Sequence, residues 1–172
     1  MVKLKGQERI FLILFTLWYL ISVQFVSQEL VALEDSFISE NNIFKSKEIM
    51  LVFLNGVIIF FSIFFLMFQG FVYRFIMLLF KCERYPSLFA SFYYLVIGYL
   101  PVALTIIAIK YLYPSILYDF TTSIYFKLAT SLVVNVIYNV IIVKKQMIEL
   151  KKAIVLGAFL TLMNFLVLLV QL

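Results

Sequence analysis

Residues 49–80 constrain this chain more than any other part of it. The stretch is apolar, with Asn55, Gln69, Gly70 and Arg74 as its main polar or small breaks. As one helix it would be ~48 Å long at 1.5 Å per residue, longer than the ~30 Å hydrocarbon core of a bilayer. Either it crosses at a steep tilt, or it spans residues 49–69 and continues as an inner-face extension over residues 70–80. In the second case Gly70 is the hinge, and Arg74 and Lys81 reach out to the headgroups.

The composition leaves no soluble alternative. The chain is 65% hydrophobic, 19% aromatic and 13% charged. A soluble domain is about half apolar and a quarter charged. With 20 Phe and 11 Tyr in 172 residues, a water-facing fold would expose large apolar patches. The lipid bilayer resolves this, and residues 1–172 are expected to form a single all-α membrane domain.

Further apolar blocks fall at residues 10–27, 88–109, 120–143 and 153–172, which makes five expected transmembrane helices. The short basic start (Lys3, Lys5, Arg9) resembles a signal peptide. The apolar block after it is too long for an h-region and no small-x-small cleavage site follows, so it is read as a retained first span. Trp18 and Tyr19 fall in the middle of that block, where packing is expected of them. Gly98 and Pro101 lie inside the third span, where proline removes a backbone hydrogen bond and kinks the helix. Tyr111, Tyr113 and Tyr118 follow it as an aromatic belt.

The charges fix an orientation. With a cytoplasmic N-terminus, the inner segments hold Lys3, Lys5, Arg9, Arg74 and the basic turns Lys81, Arg84, Lys144, Lys145, Lys151 and Lys152. Only Lys45, Lys47 and Lys110 fall outside. The Lys/Arg bias of short loops therefore favours an inner N-terminus and an extracytoplasmic C-terminus. The outer loop, residues 28–48, is acidic through Glu29, Glu34, Asp35 and Glu40. It is read as a loop with a short interfacial helix, or as a docking surface for an extracytoplasmic partner or a cationic peptide.

Few residues carry chemistry. There is one cysteine, Cys82, and no histidine, which removes the commonest proton shuttle and metal ligand. No paired carboxylate, nucleophile set or phosphate-binding glycine loop is present. No catalytic residue, metal site or cofactor is expected, and the chain is not read as an enzyme. The net charge of +5 sits at span ends without interleaved polar readers, so no nucleic-acid partner is expected. Cys82 is read as an inert thiol or a palmitoylation site.

The fourth span is the most polar. Ser123, Lys127, Ser131, Asn135 and Asn139 recur every four residues, close to one helix face. Such a stripe serves helix packing or a partner interface. Lys127, a charge inside a span, marks a site by default, or else snorkels outward or pairs with Asp119. Gly157, Thr161 and Asn164 share one side of the fifth span.

The central block, from Tyr73-Arg74 through residues 81–87 and Leu88-Phe89 to Gly98-Tyr99-Leu100-Pro101, with Lys151-Lys152-Ala153 before the last span, resembles the Yip family of Ypt/Rab-interacting membrane proteins in its bacterial branch. That resemblance implies five spans, a cytoplasmic N-terminus and a place in a bacterial cytoplasmic membrane. It also implies a non-catalytic accessory subunit of an ABC-type exporter, with a permease, an ATPase and an extracytoplasmic adaptor as partners, acting in antimicrobial-peptide export or resistance. The alternatives from the residues are a stand-alone immunity protein that sequesters a cationic peptide, and a small oligomeric transporter.

Overall fold

The computed structural model describes residues 1–33, 47–82 and 84–170. The chain forms α1 (Gly6–Leu33), α2 (Lys47–Leu79), α3 (Leu88–Leu112), a 3-10 turn (Pro114–Ile116), α4 (Leu117–Thr122), α5 (Ile124–Lys144) and α6 (Leu150–Val170). Among the described residues, α1, α2, α3 and α5 are long and apolar enough to cross a bilayer. The chain is an all-α, multi-pass membrane protein. Glu34, Asp35 and Glu40 of the expected acidic loop lie outside the described residues.

The bundle is built around α3. Half of its span is buried, against about a tenth of α1 and of α2. It packs on α1, α2 and α5, while α6 packs mainly on α5. Tyr94 and Leu95 of α3 meet Met77 of α2 and Tyr138 and Ile142 of α5 in the core, and Val96 and Phe92 of α3 pack with Leu66 of α2 in a second cluster. In lipid no hydrophobic force drives helix to helix, so close packing and hydrogen bonds do this work. Glycines permit the closest approaches. A Cβ on Gly70 would lie 3.3 Å from the Phe92 backbone nitrogen, and one on Gly98 would lie 3.2 Å from the Cα and carbonyl oxygen of Val134.

Several expectations change here. α2 is one unbroken helix through Gly70. Gly70 lets α3 approach rather than serving as a hinge, and Tyr73, Ile76 and Met77 beyond it are among the most buried residues of the chain. Trp18 is not a packing residue: it points outward, 39% exposed. Its neighbour Tyr19 does pack, tilted against Tyr99 at 5.4 Å. α3 stays helical through Pro101, which lies on its exposed face, while Gly98 is a contact point with α5. The fourth span does not begin at residue 120. Ser123, with ψ 134°, breaks the chain between α4 and α5. The Thr121 and Thr122 hydroxyls bond back to the Leu117 and Tyr118 carbonyls and close the short helix.

One end of the bundle gathers the N-terminus and two turns. The Val2 N–H donates to the Tyr85 carbonyl at 2.9 Å, and the Ser87 N–H donates to the Val2 carbonyl at 2.8 Å. Ser87 also caps α3, its hydroxyl accepting from the Ala90 N–H at 3.2 Å, as N-cap serines do. Glu8 accepts from the Lys5 N–H at 2.8 Å, half of a capping box, and from Lys145 Nζ at 2.6 Å across the bundle. This end therefore assembles Lys3, Lys5, Arg9, Lys81, Arg84, Lys144, Lys145, Lys151 and Lys152. At the opposite end Lys110 pairs with Glu29.

Both turns at the basic end close their helices in the same way. Lys81 N–H bonds to the Leu78 carbonyl and Cys82 N–H to that of Met77. Gln146 and Met147 do the same with Val143 and Ile142. These are Schellman caps, which place the residue after the helix in the left-handed region. Lys81 (φ 51°) and Gln146 (φ 53°) occupy it, where glycine is strain-free and other residues lose ~1–2 kcal/mol. Lys81→Gly and Gln146→Gly are each expected to stabilise the fold by about 0.5–1 kcal/mol after glycine's entropy is offset. Thermal unfolding in detergent reads this as a rise of a few degrees, and a fall in Tm would mean the two side chains are needed there.

Candidate functional site

The polar side chains inside the bundle converge on α5 and α6. α6 runs back along α5, and three pairs face each other in register. The Asn164 amide donates to Ser131 Oγ at 3.0 Å, and the Asn135 amide donates to Thr161 Oγ1 at 3.1 Å. Gly157 faces Asn139, so closely that a Cβ there would lie 2.7 Å from the Asn139 amide nitrogen. A spacing of four on α5 and of four then three on α6 produces this ladder, since residues three or four apart stack on one face. Asn139 adds a bond from its amide to the Asn135 carbonyl at 2.8 Å.

The ladder extends across the whole bundle through Asn135. Tyr73 of α2 donates its hydroxyl to Asn135 Oδ1. Gln69 Nε2 donates to the Tyr73 hydroxyl at 3.2 Å, and Tyr99 of α3 donates to Gln69 Oε1 at 3.1 Å. One chain of hydrogen bonds therefore joins α3, α2, α5 and α6. A second node lies deeper toward the basic end. Ser91 of α3 donates to the Gly70 carbonyl at 2.9 Å, and the Tyr138 hydroxyl of α5 lies 2.9 Å from Ser91 Oγ. Tyr73 and Tyr138 meet edge to face at 4.9 Å, an arrangement aromatic pairs prefer.

The stripe read from the sequence thus divides. Ser131, Asn135 and Asn139 belong to the ladder. Ser123 marks the start of α5 and makes no side-chain cap. Lys127 lies in the first turn of α5, exposed, and among the described residues it makes no ion pair with Asp119 or another carboxylate. It lies near one end of that candidate span, four residues into α5. Gln69, Tyr73, Ser91 and Tyr99 have no part in the sequence reading as hydrogen-bonding groups. The Gln69/Tyr73 spacing of four is a signal for them, one that the surrounding apolar run hides.

Lys145 and Cys82 are among the groups at the basic end with shifted titrations. Burial alone would lower the Lys145 ammonium. Its hydrogen bond to Glu8 and its nearness to Tyr94, over whose ring it lies 5.2 Å from the centroid, outweigh that and hold it above its ordinary value. Cys82 is raised, because burial disfavours its thiolate by more than Lys152 favours it. At neutral pH Cys82 is therefore a protonated, slow-reacting thiol. Its alkylation by iodoacetamide at pH 7.5 is expected to be several-fold slower than that of a free cysteine peptide, rising only as the pH passes the free thiol's range. A rate equal to the peptide's would place the thiol in an open, unperturbed setting. Arg74, half-buried, lies over the Tyr85 ring at 5.4 Å. Among the described residues no three metal-ligating side chains converge.

No family model, curated protein or solved structure matches this chain. Its chemistry is read from its own residues. The arrangement binds four helices to one another through neutral hydrogen bonds, and no ionisable side chain other than tyrosine takes part in either node. What it supplies is a fixed scaffold with a strongly basic end.

Proposed function

We propose that this chain is a non-catalytic accessory subunit of an ABC-type export complex in a bacterial cytoplasmic membrane, acting in the export of, or resistance to, an antimicrobial peptide. In this reading α6 is the fifth span, the basic end is cytoplasmic, and the C-terminus is extracytoplasmic. The positive-inside bias supports that orientation. The resemblance of residues 73–101 to the Yip family supports the five-span plan and the accessory role.

The observation that carries the proposal is the polar ladder. Asn135 bonds to α2 and α6, Ser131 bonds to α6, and Asn139 bonds back to the Asn135 carbonyl, so these groups are engaged in holding this chain's own helices together. One surface open to a partner is the outer face of α2. Phe60, Phe61, Phe64, Phe65, Phe68 and Phe71 are about half exposed or more along it, with Phe60 and Phe64 stacked at 6.5 Å and Phe61 and Phe65 tilted at 6.2 Å. Large flat rings on one helix give the van der Waals area that holds helices together in lipid.

The test is a pull-down in mild detergent from a C-terminally tagged chain, since Val2 is paired with the turn at Tyr85 and Ser87. A permease and an ATPase in stoichiometric yield, and a photocrosslink from position 64 or 68 to the permease, are the expected results. A chain that purifies alone or holds only a peptide would overturn the proposal in favour of immunity or transport. A reporter fused after residue 172 is expected to be active outside the membrane; cytoplasmic activity would remove the five-span plan.

A further inference from the structure

α5 and α6 enclose an open lateral groove of about 1070 Å³, as large as sites that take whole small molecules. It follows α5 from Leu128 to Lys144, ~24 Å at 1.5 Å per residue, which exceeds the ~15 Å depth of one leaflet's chains. Its walls are apolar, with Val136 and Val140 on one side and Ala158 and Leu162 on the other. Gly157 lies along it where a larger residue would meet Asn139, and the Asn139 Oδ1 atom on its lining is buried and unpartnered among the described residues.

The mouth of the groove is at the basic end, and Lys144 lines it. Lys144 is exposed, and among the described residues it makes no ion pair, since the neighbouring Lys145 takes Glu8. Glu149 and Lys152 line a separate cavity of about 330 Å³ with Cys82, not this mouth. The last carbonyls of α5 do not oppose an anion here, because Lys145, Gln146 and Met147 N–H groups cap those of Ile141, Val143 and Ile142. The mouth therefore joins a cation without an ion pair among the described residues to a long apolar trough.

We infer that the α5–α6 groove is a binding site for an anionic glycerophospholipid, with its acyl chains along the trough and its phosphate on Lys144. A partner's transmembrane helix would fit the trough in shape, while an anionic headgroup with acyl chains matches both the trough and the charge of Lys144. The inference does not rest on the export reading.

The full chain, delipidated in mild detergent, is titrated with phosphatidylglycerol or phosphatidylcholine. Thermal unfolding is followed, and native mass spectrometry counts retained lipid. Phosphatidylglycerol is expected to raise Tm by several degrees with one lipid retained per chain, and phosphatidylcholine far less. Lys144→Gln, at an exposed position, is expected to weaken phosphatidylglycerol about fivefold, since one lysine near an anionic headgroup contributes about 1 kcal/mol. Ala158→Trp, also at an exposed position, is expected to abolish retention by filling the trough. An equal response to both lipids would overturn the inference, as would an undiminished response in Lys144→Gln. So would a phosphatidylglycerol shift that survives Ala158→Trp, or a co-purified polypeptide that crosslinks to position 158 in place of lipid.

Discussion

Asn135→Ala is expected to be the most damaging single truncation among the polar residues of the bundle. The side chain accepts from Tyr73 on α2 and donates to Thr161 on α6, at a position 1% exposed. Interhelical hydrogen bonds in lipid are worth about 0.6–1.7 kcal/mol each. Removing Asn135 breaks two and leaves the Tyr73 hydroxyl short of an acceptor, so the loss is expected to be about 2–3 kcal/mol. Unfolding of the detergent-solubilised chain by heat or denaturant measures it. Two companions separate the hub from its arms. Thr161→Val removes one bond and should lose about 1 kcal/mol, while Tyr73→Phe removes two, the one donated to Asn135 and the one accepted from Gln69, and should lose about 1–2 kcal/mol. If all three variants lose the same small amount, the groups find lipid-phase or water partners and Asn135 is no hub. The Lys127→Ala variant should leave Tm unchanged, because Lys127 is exposed in the first turn of α5.

The sequence makes the spans legible because the bilayer imposes a length and a polarity on each one. Residues 49–80 and 88–109 announce α2 and α3 by hydropathy alone. The side of a helix that meets its neighbour is harder to see. Polarity at helical spacing exposes it on α5 and α6, where Ser131, Asn135 and Asn139 stand out against apolar surroundings and meet Asn164, Thr161 and Gly157. On α2 and α3 the facing residues are tyrosines and a glutamine among phenylalanines, and hydropathy does not rank a buried tyrosine above an exposed one. Phe64 and Tyr73 read alike in the sequence, yet one faces outward and the other holds the centre of the bundle.

Lys127 shows the same limit from the other side. Its distance from a span boundary depends on where the helix begins, and the break at Ser123 rests on backbone angles and on threonine hydroxyls that bond back to carbonyls. Such local competition between side chain and backbone moves a boundary by a turn without changing the hydropathy. Gly70 illustrates a third case. Glycine in a helix reads as a weak point, while a neighbour's approach, which the sequence does not record, is what uses it here.

Gly98→Leu tests that use of glycine directly. A side chain at position 98 would be built into the Val134 backbone, with its first carbon already 3.2 Å from the Val134 Cα, Cγ1 and carbonyl oxygen. Backbone atoms of a packed helix do not swing aside as a side-chain tip does, so α3 and α5 must separate. In lipid that separation gives up the packing that holds the helices together, with no hydrophobic gain to offset it. Overpacking of this kind is expected to destabilise the fold by about 1–3 kcal/mol, with Gly98→Ala at the low end. Gly56→Ala supplies the contrast. It lies on α2 with nothing within 4 Å of the added carbon, so the helix preference of alanine should stabilise it by up to ~1 kcal/mol. Opposite signs at the two positions, read as Tm in the same detergent, would establish α3–α5 contact as a determinant of the fold. A stabilised Gly98→Leu would mean that α3 and α5 do not meet at Val134. The Ser91–Tyr138 node would then lose its packing partner, and the centre of the bundle would have to lie elsewhere.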